Sequence, residues 1–315
     1  MRTLLACLLA LLSTAAAAQY PSRPVRIICP FPAGGSTDLV ARGLAQGLTE
    51  VLGQPVVVEN RLGGDGVIAA AATLQAPADG HTLFMATNTA MMQVPLMKKQ
   101  PPYDPVKDFA PVSLVGRYNF LLVTSPSLPA KSMSEFLAYA KANPGKINFA
   151  TYSSASWLAY AQVKNAAGVD ILRVPYKGEI PSVQDVLGGS IHAVFATPAS
   201  ALPHIQSGRL NVLATTLPQR WPTLPDVPTT VQAGMPPITV EFFAALFAPA
   251  GTPADVTHRL SKEVNAWLAK PGVREQVDRN GIAVAGSTPE ELGAFVKNQL
   301  GAWAKGFKEA GIEPE

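Results

Sequence analysis

The hydrophobic positions of the first hundred residues alternate between short apolar runs and stripes with helical spacing. Three apolar runs predict strands at residues 25–29, 56–58 and 82–86. Between the first two runs, apolar residues recur at intervals of four, four and three, which predicts a helix through Val40, Leu44, Leu48 and Val51. A second, alanine-rich helix is predicted over residues 67–75. The order β-α-β-α-β, with crossovers long enough for parallel pairing, predicts an α/β unit.

A second α/β unit follows with the same alternation. Its predicted strands are residues 146–150, 169–174, 193–196 and 210–214. Its predicted helices are residues 157–167, 182–187 and 199–207, and three further helices end the chain at 254–269, 272–280 and 289–310. We therefore expect two units, each with a mostly parallel sheet.

Two long apolar segments, residues 112–124 and 238–248, bracket the second unit. They predict two hinge strands that join two lobes, the first built from residues 19–117 and 244–315 and the second from residues 118–243. Molecules of this kind close on a ligand in the cleft between the lobes.

The amino terminus has the pattern of a secretory signal peptide. Arg2 precedes an apolar run at residues 4–12 and the small residues 15–18. This run is shorter than the roughly 20 residues that a transmembrane helix needs. We expect cleavage after Ala18 and a periplasmic protein. Removal of residues 1–18 would leave Cys29 as the lone cysteine, within an apolar stretch where we expect it buried and inert.

Composition narrows the classes of function. Hydrophobic residues make up 48% of the 315 residues, charged residues 15%, and the net charge is +3. The chain is too apolar for a disordered protein and too weakly basic for nucleic-acid binding through bulk charge. Its histidines lack the H-E-x-x-H spacing, and the sequence contains no G-x-S-x-G, P-loop or C-x-x-C motif. We expect neither a metal site nor a cofactor. The missing motifs also make an enzymatic function a weaker expectation than a binding function.

The best candidate for ligand binding is the loop at residues 30–38, which joins a predicted strand to a helix start. Its glycines allow backbone N–H groups to approach a ligand, and a helix start presents unpaired donors suited to a carboxylate. Ser36 or Thr37 is placed to cap the helix. The predicted contacts are Phe31, Ala33, Gly34, Gly35, Ser36 and Asp38. The alternative is that Gly34 and Gly35 form an ordinary tight turn and that Asp38 favours the helix dipole.

Polar residues also follow other predicted strands at their carboxyl ends, where open α/β sheets bind ligands. These further candidates are Thr87, Asn88, Thr89, Tyr152, Ser153, Ser154, Ser156, Tyr176, Ala196 and Thr197. Ordinary turn and capping chemistry is the alternative for each of them alone.

Several segments together resemble the Bug family of TctC-like proteins, the extracytoplasmic solute-binding proteins of tripartite tricarboxylate transporters. The matching segments are residues 20–26, 30–38, 53–61, 78–83, 103–109, 174–178, 187–189, 200–205, 224–229 and 248–253. They occur in the family's order and span nearly the whole chain after the leader.

The resemblance implies a type II periplasmic-binding-protein fold, in which two α/β lobes joined by two hinge strands hold the ligand in a cleft. It implies that the loop from Phe31 to Asp38 grips a ligand carboxylate through backbone groups and ordered water, at little cost in affinity. The implied ligands are small carboxylates. The implied partners are one large and one small integral membrane subunit, driven by an ion gradient. We expect the binding protein itself to be a monomer.

The second lobe departs from the family pattern. The loop at residues 151–158 is about two residues shorter than the family's usual S-A-G-x-G-[ST]-x-x-H-L pattern, lacks both glycines, and carries Trp157 near the usual histidine. The common Phe-Asp-Asn reads Phe195-Ala196-Thr197, so an acidic group is lost from the cleft. Tyr152 and Trp157 add aromatic surface, which favours a ligand with a ring or an apolar body. Core packing of Trp157 is the alternative.

Two other functions share this fold. One is a sensor subunit that docks on a membrane kinase, which the sequence does not separate from a transport role. The other is a periplasmic enzyme, which would need a paired base and nucleophile in the cleft, and the sequence offers none.

Overall fold

The computed structural model describes residues 20–235, 238, 242–279 and 281–314. The predicted signal peptide therefore lies outside the described residues. In the first half of the chain the elements are β1 (Val25–Cys29), α1 (Ser36–Leu52), β2 (Val56–Asn60), α2 (Val67–Leu74), β3 (Thr82–Thr87), α3 (Val94–Met97), β4 (Phe109–Tyr118), β5 (Leu121–Thr124), α4 (Met133–Ala142) and β6 (Asn148–Thr151). A π-turn, Thr89–Gln93, joins β3 to α3.

The second half of the chain continues the alternation. Its elements are α5 (Ser154–Ala167), β7 (Leu172–Pro175), α6 (Glu179–Gly188), β8 (Ala193–Ala196), α7 (Pro198–Gln206), β9 (Asn211–Thr215), β10 (Phe243–Pro249), α8 (Ala254–Leu268), α9 (Pro271–Arg279), β11 (Ile282–Val284) and α10 (Pro289–Glu309). None of the described helices is both long and apolar enough to cross a membrane.

Two sheets confirm the α/β class and the two-lobed plan. The first has the strand order β11-β4-β10-β3-β1-β2, and the second has the order β7-β6-β8-β5-β9. The five-stranded core β2-β1-β3-β10-β4 of the first sheet matches the second sheet strand for strand. Each sheet thus contains one strand, β10 or β5, that enters from the other unit.

Those entering strands correct the expectation of mostly parallel sheets. β1 pairs in parallel with β2 and β3, but β10 is antiparallel to both β3 and β4, and β11 is antiparallel to β4. In the second sheet β6 is parallel to β7 and β8, while β5 is antiparallel to β8 and β9. A chain that leaves one sheet at its carboxyl edge and enters the facing sheet at that sheet's carboxyl edge must run against its new neighbours.

The predicted hinge at residues 112–124 is two strands rather than one. β4 belongs to the first sheet and β5 to the second, and two residues, Asn119 and Phe120, connect them. The other predicted hinge, residues 238–248, is in part β10, while residues 239–241 lie outside the described residues.

Helices cover both faces of the first sheet. Val40, Leu44 and Leu48 of α1 are buried with Leu260 and Val264 of α8 on one face. Gly47 permits this approach, since a Cβ there would lie 2.2 Å from a ring carbon of Trp267. Cys29 is buried as predicted, and burial raises the pKa of its thiol to about 11.

The carboxyl-terminal helix contacts both units. Leu292 and Trp303 of α10 belong to the same buried cluster as Phe84 and Phe243 of the first sheet and Phe149 of the second. Gly306 lies against Leu158 of α5, where a Cβ would approach that side chain to 2.8 Å. The two lobes therefore share apolar packing outside the hinge strands.

Candidate functional site

The carboxyl edges of the two sheets face each other across the short crossing between β4 and β5. β4 runs in the same direction as β1 and β3, so its last residue, Tyr118, lies at the edge where those strands end. β5 begins at Leu121, which pairs with Ala196 at the end of β8. The loops that follow β1, β3, β6 and β8 therefore project toward the same space between the lobes, which we call the interlobe edge.

The loop after β1 leaves the start of α1 open. Ser36 or Thr37 was expected to cap α1, but the capping position is Gly35, which has no side chain to bond the first-turn N–H groups. The Thr37 hydroxyl instead shares a hydrogen bond with the hydroxyl of Tyr118. The first-turn N–H groups of α1 therefore lack a capping side chain in the described chain, and they lie beside the exposed residues Ala33 and Gly34. Such N–H groups are the donors that an anion requires.

Gly34 and Gly35 meet different requirements of this loop. Gly34 has a φ of +84°, a left-handed conformation that favours glycine. Gly35 has an ordinary φ of −71°, but a Cβ there would lie 3.3 Å from the carbonyl oxygen of Pro32. Its N–H also donates to that carbonyl, at 3.2 Å. The loop therefore depends on the small size of Gly35 rather than on its backbone freedom.

Asp38 supports the loop from beneath. Its side chain is fully buried and accepts hydrogen bonds from the Gly34 N–H at 2.9 Å, Arg42 Nε at 2.8 Å and Asn60 Nδ2 at 2.7 Å. Asn60 also donates to the carbonyl of Phe31 at 2.9 Å. Burial alone would raise the pKa of Asp38, but these hydrogen bonds hold it below its usual value. The Asp38 carboxylate is therefore occupied in holding the loop in shape and is not free to contact a ligand.

The end of β3 contributes buried polar groups. Thr87 is buried, and its hydroxyl has no hydrogen-bond partner within the described chain. Asn88 is buried and Thr89 is partly buried. The π-turn begins at Thr89, just after the strand, and leads into the short helix α3. The sequence analysis missed this helical turn. Its consequence is that Thr87, Asn88 and Thr89 lie on a fixed segment at the interlobe edge.

Ser153 and Ser156 form a capping box at the start of α5. The Ser153 hydroxyl accepts from the Ser156 N–H at 3.1 Å. The Ser156 hydroxyl accepts from the N–H groups of Tyr152 and Ser153, at 2.8 and 3.0 Å, and donates to the Ser153 carbonyl at 3.0 Å. The side chain of Ser154 lies outside the described residues. This helix start, unlike that of α1, is therefore closed by its own side chains.

Tyr152 has a buried hydroxyl without a partner among the described residues, while its residue as a whole is only partly buried. Burial, and next the negative charge of Glu179, raise the pKa of this hydroxyl well above its usual value. It is consequently a neutral hydrogen-bond donor at the interlobe edge.

The other aromatic candidates are already engaged. The guanidinium of Arg173 stacks on Trp157, 3.6 Å from the ring centroid, and the ring is partly buried against the core. Tyr176 donates to Asp185 Oδ2 at 2.5 Å, and burial and then Asp185 raise the pKa of its hydroxyl to about 12. These contacts favour the packing interpretation of Trp157 over a ligand-facing ring.

Glu179, which the sequence analysis missed, occupies the end of β8. Its Oε1 accepts from the Thr197 N–H at 2.5 Å, from the Thr197 hydroxyl at 2.8 Å and from the Ser200 hydroxyl. The sequence predicted that an acidic group is lost beside Ala196 and Thr197. The structure corrects this, because Glu179 supplies a carboxylate there from α6. The contact joins residues 18 apart, and no local motif signals it.

Asn119 is a second missed residue. It lies in the crossing between β4 and β5, is 1% exposed, and accepts from the Thr215 hydroxyl at 2.5 Å. Its Nδ2 has no partner in the described part of the chain. Thr87, Asn119 and Tyr152 thus each bring a buried, unpartnered polar atom to strand ends at the interlobe edge.

Two cavities lie away from these residues. One of about 470 Å³ lies between α5 and α10, beside Thr230 and Met235. Another of about 590 Å³ lies between α9, β11 and residues 217–222. Over residues 20–235, 238, 242–279 and 281–314 there is no cluster of three or more acidic, histidine or cysteine side chains suited to a metal ion.

Comparison with known proteins places this geometry in a family. The sequence model described as the tripartite tricarboxylate transporter family receptor, TctC, matches residues 40–312. Protein BugT of Bordetella pertussis is 37% identical over 297 residues, which cover 93% of this chain and 91% of that protein.

Solved structures agree over almost the whole chain. The periplasmic binding protein BugD is 35% identical with a TM-score of 0.74, covering 94% of this chain and 100% of that one. A Rhodopseudomonas palustris protein with adipate is 32% identical with a TM-score of 0.78, covering 94% and 100%. MatC of the same organism, with bound malate, is 31% identical with a TM-score of 0.71, covering 91% and 99%.

These matches confirm the resemblance and the periplasmic-binding fold that the strand order and facing sheet edges indicate. A role in solute binding follows from the same relatives. On the sequence match, the fold and the share of each chain covered, this chain belongs to the tripartite tricarboxylate transporter receptor family.

Proposed function

We propose that this protein is an exported solute-binding protein that captures a small carboxylate between its two lobes. It delivers the ligand to a tripartite tricarboxylate-type transporter with one large and one small integral membrane subunit. The relatives with adipate and malate support the carboxylate class. The signal-peptide pattern and the periplasmic relative BugD support the periplasmic location. The protein acts as a monomer, without a cofactor and without catalysis.

The observation that carries this proposal is the open start of α1. The loop after β1 presents first-turn N–H groups that no side chain of Gly35 caps, next to exposed backbone at Ala33 and Gly34. Such a helix start binds a carboxylate through oriented donors and the helix dipole. Phe31, Ala33, Gly34, Gly35 and Ser36 form this part of the site, and Asp38 holds the loop in shape.

The second half of the site comes from the opposite lobe and from the end of β3. Thr87, Asn88 and Thr89 adjoin the first loop, and Tyr152, Ser153, Ser154, Ser156, Tyr176, Ala196 and Thr197 lie on the second lobe. Ser153 and Ser156 act by fixing the loop that presents Tyr152. An apolar or aromatic ligand body would contact Tyr152 in preference to Trp157, because Arg173 covers one face of the Trp157 ring.

Closure of the lobes is the proposed mechanism of capture. We assign residues 19–117 and 244–315 to the first lobe and residues 118–243 to the second. The two-residue crossing after β4 supports a hinge there, because it is the short link between the sheets. Closure brings the polar groups of the second lobe onto a ligand already held at α1.

A thermal-shift comparison of carboxylic acids with their matched primary amides tests the proposal. A ligand at one hundred times its Kd stabilises a protein by about 2.7 kcal/mol, which is easily measured. We expect stabilisation by a subset of small aliphatic or aromatic acids and none by the corresponding amides. Equal stabilisation by acids and amides, or none by any acid, would contradict a carboxylate-binding role.

A further inference from the structure

The helices that begin at the interlobe edge differ in which groups bond their first residues. In the first lobe, α1 begins at a glycine without a capping side chain. In the second lobe, α5 is closed by the Ser153 and Ser156 box, and α6 begins at Gly178 without a capping side chain. At α7, Glu179 accepts the N–H of the capping residue Thr197. Helix α7 lies after β8, whose last residue pairs with the first residue of β5 beside the crossing. Of these helix starts, that of α7 is the one where a carboxylate of the protein already accepts the N–H of the capping residue.

The Glu179 carboxylate occupies the place that a ligand carboxylate would take at α7. It accepts the N–H of Thr197, which is the capping residue of α7, together with the hydroxyls of Thr197 and Ser200. All three hydrogen bonds go to Oε1. Within the described chain Oε2 accepts none, so one oxygen of Glu179 remains available beside its anchored partner.

We propose that Glu179 is a specificity-determining residue that makes the protein select monocarboxylates over dicarboxylates. This inference rests on the proposed function. The carboxylate held at α1 uses the open helix start, whereas a second ligand carboxylate would meet Glu179 at α7. Like charges at short range repel, and the Thr197 N–H and the hydroxyls of Thr197 and Ser200 already donate to Glu179.

The same arrangement defines the preferred far end of the ligand. Glu179 Oε2 is an acceptor, and the buried Tyr152 hydroxyl is a polar group without a partner in the described chain. An ammonium or hydroxyl group donates to such a carboxylate, while a methyl group leaves it unchanged and a carboxylate is repelled. The expected order of affinity for ligands of equal length is ω-amino acid, then monocarboxylate, then dicarboxylate.

Calorimetric titration of the full mature chain tests this with three series of equal carbon number from four to eight. The probes are linear monocarboxylates, ω-amino monocarboxylates and α,ω-dicarboxylates, including hexanoate, 6-aminohexanoate and adipate. At the length that binds best, we expect the wild-type protein to bind the dicarboxylate at least about tenfold more weakly than the ω-amino acid.

Two variants at one position separate charge from folding. Glu179→Ala opens the start of α7 and should improve dicarboxylate affinity relative to the ω-amino acid by about tenfold or more. Glu179→Gln keeps an oxygen acceptor for Thr197, so it protects the fold if the alanine variant is unstable, and should shift the ratio in the same direction. Asp170→Asn is the matched control, because it also removes one negative charge from the second lobe. Asp170 is exposed and precedes β7, whereas Glu179 follows that strand.

The outcomes distinguish this inference from the proposed function. Wild-type preference for a dicarboxylate, or an unchanged ratio in both Glu179 variants, would overturn the role of Glu179 while the carboxylate-binding function stands. Absence of binding by every acid, in this and in the acid-amide comparison, would overturn both. An equal shift in Asp170→Asn would assign the effect to net charge and would also overturn it.

Discussion

The hydroxyl groups of Thr37 and Tyr118 share a hydrogen bond that ties the start of α1 to the last residue of β4. Thr37 lies in the first turn of the proposed carboxylate-binding helix, and Tyr118 directly precedes the crossing between the lobes. Burial raises the pKa of the Tyr118 hydroxyl above its usual value, so it is neutral at physiological pH. This hydrogen bond thereby connects the proposed ligand loop to the proposed hinge.

Removal of this contact should weaken ligand binding without unfolding the protein. We expect Tyr118→Phe and Thr37→Val each to cost about 1 kcal/mol of folding stability, since each deletes one partly buried hydrogen bond. The double variant should lose less than the sum of the two, because both remove the same interaction. Denaturant unfolding and ligand titration measure these effects. Tyr139→Phe is the control, because the Tyr139 hydroxyl has no hydrogen-bond partner among the described residues. Additive losses would show that the two residues act independently.

The buried carboxylate of Asp38 should make stability depend on pH. Its folded-state pKa is lowered, so its contribution is fully present above the unfolded value of about 3.9 and is lost as the pH falls through the lower folded value. We expect Asp38→Asn to flatten the acid limb of the stability curve below about pH 4. Unfolding free energies measured from pH 2 to 7 check this. An acid limb identical to that of the wild-type protein would contradict the role of Asp38 as a charged support.

Loss of the Ser156 hydroxyl should destabilise the second lobe. Ser156 is 1% exposed, and its hydroxyl accepts two backbone N–H groups. Ser156→Ala leaves those donors without this acceptor, and we expect a cost of about 2 kcal/mol. Ser190→Ala, which removes an exposed hydroxyl bonded to the Asp185 carbonyl, is the control and should cost little. Equal losses of unfolding free energy in Ser156→Ala and Ser190→Ala would show that the capping box does not stabilise the second lobe.

The same loop should influence selectivity. Alanine substitutions at Ser153, Ser154 and Ser156 should change the ranking of carboxylate ligands more than removal of exposed charges on α10, such as Lys308. The reason is that the capping box fixes the segment that presents Tyr152. Thermal-shift ranking over one ligand set compares the variants. Identical rankings in all of them would exclude this loop from ligand recognition.

Local patterns in the sequence predict most helices and strands of the fold, but not the exact ends of the helices or the direction of every strand. The apolar stripe of α1 is confirmed at Val40, Leu44 and Leu48, while Val51 is 48% exposed and Leu52 is buried in its place. The helix α4 was missed, although Ser132 three residues before Glu135 is the signature of a helix start. Strand direction was partly wrong because pairing across the crossing depends on tertiary geometry that periodicity does not contain.

In the candidate site, too, features set by neighbouring residues were predicted and features set by contacts distant in sequence were not. The loop after β1 was predicted from Gly34 and Gly35, since a strand, two glycines and a helix stripe are contiguous in sequence. The absence of a capping side chain at α1 was not predicted, because the Thr37 hydroxyl bonds a residue 81 positions away. Glu179 was missed for the same physical reason: its partners Thr197 and Ser200 follow another strand, and a lone glutamate after a glycine has no local signature.

Titration of Gly35→Val with the best carboxylate found for the wild-type protein tests whether the start of α1 holds the ligand carboxylate. Gly301→Val is the control, since a Cβ there meets nothing within 4 Å. We expect Gly35→Val to fold, as judged by circular dichroism, and to bind at least about a hundredfold more weakly, while Gly301→Val binds normally. An unchanged affinity in folded Gly35→Val would contradict the claim.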